Sequence, residues 1–174
     1  MNPQITPLMP VLVSPWLSIH VSLIMMSYAL LAFIMLNGIL ALCLRKKESE
    51  NKISGNDAIQ DNRIEQLTLV SRLLLYPATF FLGAGIFLGA VWANVSWGRY
   101  WAWDPKEVWA LITFLVYGVA FHSQSLRIFR KPLFFHIYMI LAFLTVLMTY
   151  FGVNYVLGGM HSYATVSYTH LRAH

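Results

Sequence analysis

Residues 16–44 read WLSIHVSLIMMSYALLAFIMLNGILALCL. The run carries no acidic or basic side chain, and at about 1.5 Å of rise per residue a helix built from it crosses the ~30 Å hydrocarbon core of a bilayer. Pro15 precedes it, where a missing amide hydrogen costs a helix nothing. Outward from this stretch the pattern repeats: residues 1–44, 73–98, 108–126 and 132–171 contain no Asp, Glu, Lys or Arg. A core helix of a soluble domain needs a polar face, and none of these runs has a charged one. The 174 residues are 58% hydrophobic and only 11% charged, against about 25% charged in an ordinary soluble domain. The composition argues against a soluble enzyme and for an all-α polytopic membrane protein.

About four transmembrane helices are expected, over 16–44, 73–92, 108–126 and 133–154, and the short later connections make neighbours antiparallel. The polar segment 45–72 reads as a loop whose second half has room for a short surface helix. Gly83, Gly85 and Gly89 allow a neighbouring helix to approach closely. Basic residues set the orientation: six lie in 45–72 and three in 127–131, against two in 92–107. By the positive-inside rule the first two segments face the cytoplasm. The N-terminal end, the 92–107 loop and the segment after Asn154 then share the outer side. Cys43, the single cysteine, offers neither a disulfide framework nor a metal cluster and reads as packing. No nucleotide-binding glycine loop, internal repeat or basic nucleic-acid surface is present.

The densest signal is Trp97-Gly98-Arg99-Tyr100-Trp101-Ala102-Trp103-Asp104-Pro105-Lys106-Glu107-Val108-Trp109. With Trp92, five of the six tryptophans fall within 92–109. Two readings stand side by side. An interfacial aromatic belt explains the residue type. A platform for a planar apolar ligand explains the density, with Arg99 and Lys106 placed to meet acidic substituents at its edge. A porphyrin with propionates fits the second description. Asp104 before Pro105, with Glu107 three residues after Asp104, reads as a capping box that starts the third helix.

The histidines divide by side. His20 lies near the outer end of the first helix, roughly 37 Å of helical rise from Arg45, and His161 follows the fourth helix on the same side. Together they can supply axial ligands from opposite faces of an iron porphyrin, or equally be surface residues bonded to water and backbone. His122 lies near the inner end of the third helix, where a titratable side chain marks either a functional site or a bond across helices. His136, early in the fourth helix, reads as packing or interfacial.

The tryptophan-rich stretch resembles that of the haem-handling membrane proteins of cytochrome c assembly, the CcsA/ResC type of system II. The resemblance continues through Ala110-Leu111-Ile112-Thr113. It extends to His20-Val21, Ala90-Val91-Trp92-Ala93-Asn94, Thr149-Tyr150-Phe151-Gly152-Val153-Asn154 and Leu157-Gly158-Gly159-Met160-His161-Ser162-Tyr163. It implies that His20 and His161 ligate the iron of haem b. It further implies that Trp97, Trp101, Trp103 and Asp104 hold the haem, and that His122 matches the family's intramembrane haem-associated histidine.

The implied activity is transport of haem outward, its presentation, and its covalent attachment to the CxxCH cysteines of apocytochrome c in a cytochrome c synthase complex, with no catalytic residue of the chain's own. The implied partners are a CcsB/ResB-type membrane protein, apocytochrome c and a thiol-reducing protein. The implied location is the bacterial cytoplasmic (inner) membrane, with the tryptophan-rich loop on the outer or periplasmic side. A haem-handling protein of maturation system I shares the signature, and a non-haem transport or scaffold protein with an anchoring aromatic loop is the alternative of another class.

Residues 1–165 are expected to form a partial haem-handling transmembrane domain. Residues 166–174 read as one translated frame of a sequencing-library adaptor, and the chain is expected to be a fragment with a non-native tail.

Overall fold

The computed structural model describes residues 15–50, 57–123 and 125–157. They are all-α. Helix α1 spans Pro15–Glu50, α2 Asp57–Trp97, α3 Pro105–Val119 and α4 Pro132–Leu147. Single 3-10 turns at Ala120–Ser123 and Arg127–Arg130 join α3 to α4, and α4 continues into a π-helical stretch, Met148–Leu157.

Among the described residues, three segments are long and apolar enough to cross a membrane by length and composition: Pro15–Lys46, Asp61–Trp97 and Pro132–Val153. At 15 residues, α3 rises only about 22 Å and falls short of the ~30 Å core. It ends before the expected Leu126. A 3-10 turn takes over at Ala120, and His122 already has non-helical angles. Large apolar side chains stand exposed around the bundle, among them Phe80, Phe87, Leu115 and Leu141. Exposed apolar surface on this scale suits contact with lipid rather than water.

Much of the segment expected as a loop is helical, because 57–72 forms the first part of α2. Buried positions explain the extension. Ile64, Thr68, Ser71, Leu75, Ala78 and Leu82 are all buried, and their spacing of three or four residues draws one continuous stripe along a helix. On α1, Ser27, Leu31, Ile34, Asn37 and Ala41 draw the matching stripe. Many of these residues are small or carry one short polar group, which permits close approach and cross-helix hydrogen bonds. The Ser27 hydroxyl donates to the Ala78 carbonyl at 2.8 Å and the Asn37 amide to the Ser71 hydroxyl at 3.4 Å. Ile24 meets Gly85 and His20 meets Gly89, so rising numbers on α1 pair with falling numbers on α2.

The core lies where these two helices meet α4 and the end of α3, around Leu31, Leu75, Tyr117, Phe135 and Met139. Arg72 closes its lower edge: its guanidinium donates to the Phe129 carbonyl at 2.6 Å and lies over the Phe135 ring, 5.1 Å from its centroid. His136 is fully buried there. The Thr68 hydroxyl already donates to the Ile64 carbonyl, so at 2.9 Å it accepts from His136 Nε2–H.

Candidate functional site

The connection from α2 to α3 is set by its non-aromatic residues. Gly98, at φ 71°, ends α2, and its amide donates to the Asn94 carbonyl at 2.8 Å. This is a left-handed helix stop that suits glycine. At the other side Asp104 caps α3: its carboxylate accepts from the Lys106 amide at 3.2 Å, and Pro105 occupies the first turn. The Glu107 carboxylate reaches back to accept from the amides of Ala102, at 2.9 Å, and Asp104, at 3.3 Å. The expected capping box is formed.

With the backbone held in this way, the indoles are distributed by what remains. Trp92 is buried at the end of α2 and meets Trp97 edge to face, 4.9 Å between centroids. Trp101 and Trp103 meet in the same manner at 6.0 Å. Trp103 has φ 57° and is 75% exposed. A bulky residue in the left-handed region is uncommon and costs roughly 1–3 kcal/mol.

A cavity of about 240 Å³ opens between the early part of α1, the late part of α2, the loop, the first turns of α3 and the π-helical stretch. His20, Tyr28, Trp92, Tyr100, Trp101 and Lys106 are among its lining residues. Thr113 and Thr149, whose hydroxyls meet at 3.2 Å, tie α3 to the π-helical stretch at one side of it. Such wide helical turns often occur at functional sites. Burial pushes the Lys106 ammonium below the usual lysine range, and the Asp104 carboxylate pulls it partly back.

His20 is held from α2. Its Nδ1 lies 2.7 Å from the Gly85 carbonyl oxygen. A carbonyl only accepts, so Nδ1 carries the proton and the lone pair of the neutral ring is on Nε2. An imidazole of defined tautomer in an aromatic, largely apolar cavity with an ammonium at its margin is the chemistry a haem requires: an axial nitrogen, planar contacts and a cation for propionates. The volume lies under the roughly 300–1,000 Å³ of ordinary cofactor pockets.

The sequence-expected residues therefore separate. His20 and Trp101 come together in this cavity. Trp97 packs against Trp92, Trp103 stands outward beside Trp101, and Asp104 is buried as a helix cap. His122 lines a different, more open cavity of about 590 Å³ with Tyr76, Phe80 and Phe114. His161 lies outside the described residues. Sequence reasoning missed Tyr28, Tyr100 and Thr149 as lining residues, and it read Gly85 and Gly89 as packing alone. Their four-residue spacing was the available signal.

A family model described as cytochrome c assembly protein matches residues 1–161. The chain is 42% identical to Protein NrfI of Wolinella succinogenes over 163 residues, which are 94% of this chain and 18% of that protein. It is 41% identical to the cytochrome c biogenesis protein CcsA of Chlamydomonas reinhardtii, over 92% of this chain and 44% of that one. With CcsA of Pyropia yezoensis the identity is 36%, over 91% and 60% of the two chains. The chain thus spans less than two thirds of the length of these relatives.

Proposed function

The chain belongs to the cytochrome c assembly protein family, and from that membership we propose that it carries haem b and presents it, on the outer side of a bacterial cytoplasmic membrane, for attachment to apocytochrome c. The observation that carries this reading is the entry of His20 into an aromatic cavity with its Nδ1 proton committed to the Gly85 carbonyl. That bond presents the metal-binding lone pair from Nε2. His161, which lies outside the described residues, would hold the iron together with His20. Trp101 would offer the ring an aromatic wall inside the cavity, with Trp97 packed against Trp92 behind it and Trp103 beside it on the outward side. Lys106 would take a propionate, and Asp104 would keep the loop and α3 in register.

Bound haem supplies an iron for ligation and vinyl groups for the substrate thiols. The chain's part is to orient it and exclude water, so the rate advantage is one of proximity and no nucleophile of its own is needed. The four helices stand antiparallel in the bilayer with the tryptophan-rich loop outside. A CcsB/ResB-type membrane protein completes the synthase, and a thiol-reducing protein keeps the CxxCH cysteines of apocytochrome c nucleophilic. His122 serves a second haem contact nearer the inner side, in the cavity that Tyr76, Phe80 and Phe114 border.

Haem-replete protein purified from membranes tests the ligand pair. His20→Ala and His161→Ala are each expected to abolish the low-spin bis-histidine spectrum of the outer haem. If both variants keep the spectrum of the unmutated protein, the assignment is wrong.

A further inference from the structure

Two glycines on α2 have a role that helix packing alone does not explain. In a regular helix the Gly85 carbonyl accepts from the amide of Gly89, one turn later, and a side chain at 89 stands over that carbonyl. Gly89 has none. A Cβ built there falls 2.7 Å from His20 Cε1 and 2.8 Å from Nδ1, so the imidazole occupies the space that the missing side chain leaves. Gly85 does the complementary work. A Cβ on it falls 2.6 Å from Ile24 Cδ1 and 2.9 Å from Cγ1, so its absence lets α1 approach closely enough for the 2.7 Å contact between His20 Nδ1 and the Gly85 oxygen.

We propose that Gly85 and Gly89 form a backbone latch for His20, in which Gly85 offers a carbonyl and Gly89 uncovers it, so that the imidazole is fixed in one tautomer and one orientation for iron. The proposal rests on the reading of His20 as an axial ligand and names two positioning residues for it. The latch acts on the metal through the ring. Donation of the Nδ1 proton to a carbonyl makes Nε2 more basic, and partners of this kind typically contribute 10–100-fold to metal affinity. A more basic axial nitrogen also favours ferric over ferrous iron and holds the reduction potential down.

The test uses the purified membrane protein with ferric haem b as the probe, comparing His20→Ala, Gly89→Ala and Gly38→Ala. Gly38 sits on α1 roughly 27 Å of helical rise from His20, and its own Cβ would crowd the His136 carbonyl and Ile140, each at 3.2 Å. It reports what crowding α1 does by itself. Gly89→Ala is expected to weaken haem binding by about 10-fold or more, to reduce the low-spin fraction and to raise the reduction potential, while Gly38→Ala leaves all three unchanged.

If Gly89→Ala matches the unmutated protein while His20→Ala loses the spectrum, or if Gly38→Ala has the same effect as Gly89→Ala, the latch is overturned and the ligand reading survives. If His20→Ala also keeps the spectrum, the ligand reading falls and the latch with it. Should Gly89→Ala fail to assemble, nitrogen NMR of the unmutated apoprotein labelled at histidine decides. A proton on Nδ1 of His20 is expected, and a proton on Nε2 overturns the proposal.

Discussion

Trp103 accepts a backbone conformation that glycine would adopt without cost, and it does so while exposing most of its indole. Strain of this kind persists where the surroundings enforce it, and here the two caps on either side of the residue do so. Trp103→Gly is expected to leave thermal stability unchanged or slightly raised, since strain relief of roughly 1–2 kcal/mol offsets the lost edge contact with Trp101. Haem binding is expected to fall several-fold, and a glycine variant that titrates haem like the unmutated protein would remove Trp103 from the site. Asp104 poses the opposite case, because its buried carboxylate already has a structural task. Asparagine caps helices about as well as aspartate, whereas alanine costs roughly 1 kcal/mol. Thermal unfolding is therefore expected to separate Asp104→Ala from Asp104→Asn. Equal haem affinity in the Asn variant would make the residue a cap alone, and a loss would reveal a direct role for its charge. The capping box was legible in the sequence because its residues are neighbours. The position of Trp103 was not, since it depends on two caps acting together.

At the scale of elements, α2 is the member on which the others are assembled. One side of it meets α1 through small residues, and near its start Thr68 meets His136 of α4. Thr68→Val removes the acceptor and leaves the His136 Nε2–H buried without a partner, which costs roughly 1–3 kcal/mol. Thr68→Ser is expected to restore most of that stability, and thermal unfolding in detergent measures both. A valine variant as stable as the serine one would show that the bond contributes nothing. The length of α2 was only half legible. Charges between 57 and 72 hide a stripe at Ile64, Thr68 and Ser71 that becomes meaningful once α1 is there to cover it. Likewise the shortness of α3 was hidden, because an apolar run of that length says nothing about where the α-helix gives way to the 3-10 turn at Ala120–Ser123.

For the whole molecule, the proposed orientation has a direct consequence for chemical access. In intact cells carrying a Cys43→Ser background, Tyr100→Cys is expected to react with a membrane-impermeant maleimide, and Arg130→Cys only after permeabilisation. The reverse pattern would invert the arrangement and place the tryptophan-rich loop beside the cytoplasm. The amino-acid sequence by itself determined that this chain is helical and built for a membrane, because in hydrocarbon a backbone must satisfy its own hydrogen bonds and long uncharged runs leave the helix as the means. It also determined the caps around the tryptophan-rich loop, whose partners lie within a few residues of one another. Only the tertiary structure decided which histidine stands against which helix, and that His20 meets a bare stretch of backbone at Gly85 and Gly89. Those partners are some 65 residues apart, and no local periodicity carries the register with which two apolar helices settle together. That register follows from where their small side chains let the backbones touch.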